Sequence, residues 1–295
     1  MHQTGQIYRP PSEASVQRLE VTIGCSHNKC SFCTMYRKTP FRVAPLEDVE
    51  ADLKELHDRD EKITRIYLTN GDPFVLGTDR LVKIAELVHQ YLPEVEVLTC
   101  YASIQNLKAK SLEELKLLKS VGYDELYVGL ETAYAPAVKL INKGFTVEEA
   151  YENIGKLKEA GMKYSALLML GIGGKGHSKE SVEATAALLN KYPPYRVSPL
   201  STAVLRGSEL EELCDEGKYV QLTERELVEE EKMLLRALEI KDCIFFGSHP
   251  YNLITISGVL PQDREKIIEH LDSEMAAWDR DQPGFLDTIW TRADM

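Results

Sequence analysis

The chain has few cysteines, little tryptophan, a deficit of basic charge and no long apolar run. Six cysteines in 295 residues are too sparse for a disulfide framework, and a chain of this length has volume for a sizeable core without such staples. No stretch reaches the roughly 18 apolar residues that a spanning helix requires. The opening segment, MHQTGQIYRPPSEAS, lacks the apolar centre of a secretory signal. These absences together predict a cytoplasmic protein with reduced thiols. Lys and Arg number 35 against 47 Asp and Glu, a net charge of −12. A surface of that sign repels phosphate backbones on average, which lowers nucleic acid among the candidate partners without removing it.

What is present is an alternation of strand and helix patterns. Strand-like runs are expected at 17–23, 63–68, 95–101, 125–130, 163–170 and 195–200. Helical spacing is read at 46–59, 78–91, 111–121, 146–160 and 179–191. Gly122 and Gly161 stand where helices should end. Six strand–helix units predict an α/β fold with a parallel sheet and crossover helices. Because a closed barrel needs eight units, the expected architecture is a partial (βα)6 TIM-like barrel. Residues 1–16 form an N-terminal extension, 17–207 the barrel, and 208–295 a mainly helical C-terminal extension packed on it. That extension has helices at 223–240 and 263–278 around the apolar run 243–247, and the charged stretch 224–231 reads as a solvated helix face. Strand ends followed by Cys25, Asn70-Gly71-Asp72-Pro73, Tyr101-Ala102-Ser103, Glu131-Thr132 and Gly171-Ile172-Gly173-Gly174 fall on one edge of the sheet. In α/β folds that edge carries the chemistry.

Cys25, Cys30 and Cys33 lie together directly after the first strand, while Cys100, Cys214 and Cys243 stand apart. Three thiolates on one short loop can hold three corners of an iron–sulfur cube, leaving one iron without a protein ligand. Zinc would need a fourth ligand, for which His27 is the nearby candidate. A non-catalytic iron–sulfur or zinc protein that senses redox state or binds a partner is the alternative function class.

The segment Gly24-Cys25-Ser26-His27-Asn28-Lys29-Cys30-Ser31-Phe32-Cys33 resembles the cluster loop of the radical S-adenosylmethionine enzymes. The spacing here is C-x4-C-x2-C where C-x3-C-x2-C is usual, and Phe32 occupies the aromatic place before the third cysteine. Asn70-Gly71-Asp72-Pro73 is similar to the segment that receives the amino group of S-adenosylmethionine. Gly129-Leu130-Glu131 is similar to the strand end that places a polar side chain on the ribose hydroxyls. Lys143, twelve residues on, matches a basic residue that pairs with the cofactor carboxylate in oxygen-independent coproporphyrinogen oxidases and their relatives. The resemblance implies an enzyme with a [4Fe-4S] cluster on Cys25, Cys30 and Cys33. It also implies reductive cleavage of S-adenosylmethionine, hydrogen abstraction by a 5′-deoxyadenosyl radical, and a low-potential electron donor of flavodoxin or ferredoxin type. A small-molecule substrate is favoured, with tRNA or protein modification second, and no membrane partner is expected.

Gly171-Ile172-Gly173-Gly174-Lys175-Gly176 matches a dinucleotide-binding fingerprint, but it ends the fifth strand instead of opening the first βαβ unit. Gly171 is therefore read as allowing close approach of the adenine or ribose of S-adenosylmethionine. Cys100, ending the third strand, and His249, after the apolar run 243–247, are the remaining candidates for the active site, with structural roles open for both.

Overall fold

The computed structural model describes residues 1–59 and 62–290. The strands are β1 Gln17–Glu20, β2 Thr22–Ile23, β3 Arg42–Val43, β4 Arg65–Thr69, β5 Val97–Ala102, β6 Glu125–Glu131, β7 Lys163–Leu170, β8 Arg196–Ser201, β9 Cys243–Phe246 and β10 Ser257–Leu260. The helices are α1 Leu46–Asp58, α2 Thr78–Tyr91, α3 Ile104–Lys108, α4 Leu112–Ser120, α5 Ala135–Leu140, α6 Val147–Glu159, α7 Ser178–Lys191, α8 Glu209–Asp215, α9 Glu224–Ala237 and α10 Arg264–Asp281. The expected alternation is present, with the strand at 17–23 divided into β1 and β2. The short helices α3, α5 and α8 arise inside segments read as loops, because a one- or two-turn helix leaves almost no periodic signal. Among the described residues no helix is long and apolar enough to cross a membrane.

The chain divides into two compact units. The first comprises Met1–Asn28, Met35–Gly129 and Glu152–Tyr164. Its strands run parallel in the order β1, β4, β5, β6, with Arg18 opposite Tyr67, Tyr67 opposite Thr99, and Tyr101 opposite Tyr127. Because side chains alternate, Tyr67, Thr99, Tyr101 and Tyr127 share one face while Leu19, Leu68, Leu98, Cys100 and Leu126 share the other. The apolar face is fully buried together with Leu53, Leu56, Leu81, Ile84, Leu115 and Leu118 of α1, α2 and α4. The three tyrosine rings meet edge to face at 5.9 to 6.3 Å. At the start of β4 the segment preceding β1 folds under the strands. There Glu13 accepts two N–H bonds from Arg65, at 3.1 and 2.6 Å, and the Tyr127 hydroxyl at 2.5 Å. A separate hairpin pairs β2 with β3.

The second unit comprises Lys29–Thr34, Leu130–Tyr151 and the chain from Ser165 onward. Here β7, β8 and β9 are parallel, and β10 closes the edge antiparallel to β9. The C-terminal region thus supplies two paired strands in addition to helices α8 to α10. Ser208 and Thr223 cap α8 and α9 by accepting backbone N–H groups of the first turn.

The stretch 224–231 is not a solvated face. Glu224, Glu230 and Glu231 are buried, because α9 packs against both α7 and α10 and so has more than one covered side. Glu224 accepts the Trp290 amide at 3.1 Å and Glu230 accepts the Gly171 amide at 2.7 Å. Oε1 of Glu231 has no hydrogen-bond partner, and a Cβ at Gly247 would come within 2.7 Å of it. Burial pushes this carboxyl up to about 8. The folded state therefore keeps a proton that the unfolded chain releases above its ordinary value of 4.5, and stability falls as pH rises from there towards 8. Glu231→Gln is expected to change the melting temperature little at pH 5 and to raise it at pH 8, as measured by calorimetry across that range.

Candidate functional site

The cysteine loop leaves β2 through Gly24, whose φ of 76° belongs to the left-handed region. A Cβ there would lie 2.9 Å from the Thr39 carbonyl oxygen, so both the turn and the close approach of residues 39–41 demand glycine. Asn28, also left-handed at φ 43°, donates its Nδ2 to the Tyr36 carbonyl at 2.8 Å. The Ser26 hydroxyl donates to the Asp72 carboxylate. Asp72 belongs to the turn that follows β4. In this turn the Gly71 amide donates to the Gly24 carbonyl at 3.2 Å, and a Cβ on Gly71 would strike the Tyr36 ring at 2.4 Å. Asn70 donates its Nδ2 to Thr22 and Glu20, at 3.3 and 3.5 Å, while its buried Oδ1 has no partner. A buried amide oxygen without a donor has a place for an ammonium group.

The second unit holds the other two cysteines. Between them, Ser31 donates its amide to the Ile141 carbonyl at 3.0 Å and its hydroxyl to Leu140 at 3.2 Å, and its own carbonyl accepts the Leu210 amide at 2.9 Å. Asn142 donates its Nδ2 to the Lys29 carbonyl at 3.0 Å. These bonds seat Cys30 and Cys33 against the end of α5, and Phe32 packs on Ala137, Ile141, Met169, Ile172, Leu210 and Tyr219. Lys143 Nζ lies 5.6 Å over the Phe32 ring and 2.6 Å from Glu131 Oε1. Burial works against the ammonium, but the Glu131 carboxylate and the Cys30 and Cys33 thiols outweigh it and hold Lys143 above the usual lysine range. Glu131 ends β6 with a φ of 62°, a backbone turn that aims its carboxylate at Lys143. Although expected at separate ends of one cofactor, Glu131 and Lys143 are each other's partner here.

The remaining candidates have other surroundings. Gly171, at φ 80°, donates its amide to Glu230 and accepts the Tyr219 hydroxyl at 2.8 Å, and a Cβ there would meet Leu227 at 2.7 Å. The glycine thus admits α9 and a tyrosine. Cys100 lies on the helix-facing side of β5, opposite the tyrosine face, and burial pushes its thiol well above the usual range. His249 accepts the Tyr251 amide on Nδ1 at 3.1 Å and is pushed down to about 4 by burial, so it is a neutral ring held in place by its own turn. His27 Nδ1 lies 3.4 Å from Gln105 Nε2, beside a cavity of about 240 Å3 lined by Ser26, Val75, Ser103 and Asn106. No sequence motif signals Tyr36, Ser26 or Tyr67. Only the period-2 alternation of β4, β5 and β6 hints at a polar face. The hydroxyls of Tyr67 and Thr99 on that face are buried without partners.

The donor set fits the implied groups. No disulfide links the six cysteines. Among the described residues no three His, Cys, Asp or Glu side chains are gathered as a single metal ion would need; a cube presents three separate iron corners to three thiolates. Taken singly, the Asn70 amide oxygen has the sense to accept from an ammonium group, and the Lys143 ammonium the sign to meet a carboxylate. Lys143→Met would leave Glu131 buried beside the thiols without a counter-charge. The expected cost is roughly 3–5 kcal/mol in urea unfolding, most of it recovered in the double variant Lys143→Met/Glu131→Leu. The lysine value is raised, so the pair's contribution is complete below 10.5 and is lost only as pH climbs through the raised value. The measured cost should therefore not change between pH 7 and 9.

The sequence pattern of the Radical SAM superfamily matches residues 19–189. An uncharacterised protein of Methanocaldococcus jannaschii is 24% identical, over 71% of this chain and 67% of its own length. The heme chaperone HemW of Lactococcus lactis is 26% identical over 47% of this chain and 36% of that protein. A tRNA uridine(34) acetyltransferase of Methanocaldococcus infernus is 21% identical over 70% and 46% respectively. The chain thus spans about two thirds of the first relative and less than half of the other two. Among solved structures, methylornithine synthase (PylB) superposes with a TM-score of 0.55 at 16% identity, over 88% of this chain and 81% of that one. The FeFe-hydrogenase maturase HydG of Carboxydothermus hydrogenoformans gives 0.51 at 15%, over 87% and 56%. These likenesses give the fold as the partial-barrel α/β type. With its superfamily pattern covering more than half of its length, the chain belongs to the radical SAM superfamily of enzymes, whose members use a [4Fe-4S] cluster and S-adenosylmethionine.

Proposed function

We propose that Cys25, Cys30 and Cys33 hold the [4Fe-4S] cluster, and that Asn70, Gly71, Asp72, Glu131 and Lys143 hold S-adenosylmethionine against it. When bound, the two groups supply one-electron cleavage of the sulfur–carbon bond and a 5′-deoxyadenosyl radical for hydrogen abstraction. The protein's part is to bind, orient and exclude water. The observation that carries this reading is the Lys143 ammonium, 2.6 Å from the Glu131 carboxylate, with its charge further favoured by the Cys30 and Cys33 thiols. Lys143 is the charge that would take the cofactor carboxylate, and Glu131, released from it, the acceptor for two ribose hydroxyls. Asn70 Oδ1 and the turn at Gly71 would receive the amino group. Phe32 keeps the cluster loop seated on apolar residues and limits water beside it.

A small polar molecule is the favoured substrate. The tyrosine face of the first unit, shut at one end by Glu13 and Arg65, carries buried unpartnered hydroxyls at Tyr67 and Thr99 that suit a compact ligand with hydrogen-bonding groups. A second reading, action on tRNA, draws on the similarity to a tRNA uridine(34) acetyltransferase. Superfamily members need a reductant, here a low-potential donor of flavodoxin or ferredoxin type.

Anaerobic reconstitution followed by dithionite and S-adenosylmethionine should give about four iron and four sulfide per chain and release 5′-deoxyadenosine, read by mass spectrometry. Cys30→Ala should lose both the cluster and the product, which would establish the longer first gap as part of the ligand set. One zinc and no iron would overturn the assignment. Stimulation of 5′-deoxyadenosine by bulk tRNA would favour the second reading.

A further inference from the structure

The chain carries a net charge of −12, yet between Glu20 and Glu47 it contains no acidic residue at all. This stretch includes the cysteine loop and four basic residues, Lys29, Arg37, Lys38 and Arg42. Within the first unit, the return limb of the β2–β3 hairpin exposes Arg37, Lys38 and Arg42. On either side of them along the limb, Met35 is 44% exposed and Val43 42% exposed. The limb is a built part of the cysteine loop. Arg42 pairs with Ile23 across the hairpin, the carbonyls of Thr39 and Pro40 lie against Gly24, and the Tyr36 carbonyl accepts from Asn28. Arg42 is thereby held opposite a residue two positions from Cys25, and Thr39, next to Lys38, lies against Gly24, one position from it. Arg80 extends the positive character beneath the limb, donating to the Ala44 carbonyl.

We propose that this edge, Met35 to Val43, is the docking surface for an acidic, low-potential redox protein that reduces the cluster. The proposal rests on the reading that Cys25, Cys30 and Cys33 hold that cluster. Exposed apolar groups next to charged ones suit a small protein–protein contact, in which apolar and polar area are both buried. Redox encounters occupy the low end of interface size, below about 1,200 Å2. A short local patch suffices for such a contact, even on a chain whose overall charge has the sign of the partner's. An RNA ligand fits less well. The edge has no exposed aromatic platform for stacking bases, since Tyr36 is buried and Phe41 half-buried. At each encounter one electron passes. The partner is oxidised by one electron and the cluster reduced by one, and no bond is made or broken.

The test compares the wild type with Arg37→Glu/Lys38→Glu/Arg42→Glu, and with Met35→Glu as a second variant that leaves the basic residues in place. The probe is a recombinant acidic flavodoxin, used oxidised for binding to the cluster-free chain and as the hydroquinone for stopped-flow reduction of the reconstituted chain. Charge reversal should weaken low-salt binding roughly tenfold or more and remove its dependence on ionic strength. Reduction by flavodoxin should slow by a similar factor while reduction by dithionite is unchanged. Met35→Glu should weaken binding as well. Unchanged flavodoxin binding and reduction would overturn the proposal. So would an equal loss of reduction by dithionite, or a loss confined to binding of bulk tRNA. A wild type without iron and sulfide would instead remove the cluster reading, which the binding measurement on the cluster-free chain does not depend on.

Discussion

One buried ammonium organises the second unit. Lys143 is 13% exposed and Glu131 9% exposed, so each charge would cost several kcal/mol to bury alone. Their mutual attraction, added to by the thiols of Cys30 and Cys33, keeps the lysine charged throughout the physiological range. The geometry depends on two backbone turns, the left-handed residue Glu131 at the end of β6 and Asn142 with Gly144 before and after the lysine. The bonds of Ser31 to Leu140 and Ile141 then bring the cysteine loop to that charge.

The first unit solves a different problem, that of holding a loop open at a strand end without a regular ladder. Gly24 and Gly71 do this by lacking a side chain where Thr39 and Tyr36 come within contact distance. Beside them, hydrogen bonds satisfy Ser26, Asn28 and one half of the Asn70 amide, leaving Asn70 Oδ1 buried without a donor. An unsatisfied buried acceptor is tolerated where a ligand completes it. The hydroxyls of Tyr67 and Thr99 are likewise buried without partners, whereas Glu13, Arg65 and Tyr127 are bonded to one another.

Charge is distributed by role. Acidic residues dominate the chain, but three of them on α9 are internal, and the span between Glu20 and Glu47 has none. Formal net charge averages over these distinctions. Its value of −12 describes the surface in bulk and not the short edge next to the cysteine loop.

The sequence by itself determined the alternation of strands and helices, since hydrophobic periodicity and left-handed glycines such as Gly122 and Gly161 act over a few residues. It also made the cysteine loop and its resemblance to the superfamily legible, because spacing along one short loop is a local property. What lay beyond it were the facts that depend on residues distant in the chain. The pairing of Glu131 with Lys143 depends on a backbone turn, the seating of Cys30 and Cys33 on α5, and the use of the Gly171 amide on Glu230 of α9. The burial of Glu224, Glu230 and Glu231 likewise depends on α7 and α10 covering a helix whose composition alone suggests solvent. Cys100 and His249 show the same limit. A strand end and an apolar neighbourhood mark both, yet alternation turns the first towards the helices and a tight turn occupies the second. Local chemistry is written in adjacent residues, whereas burial and partnership are decided only when distant segments pack.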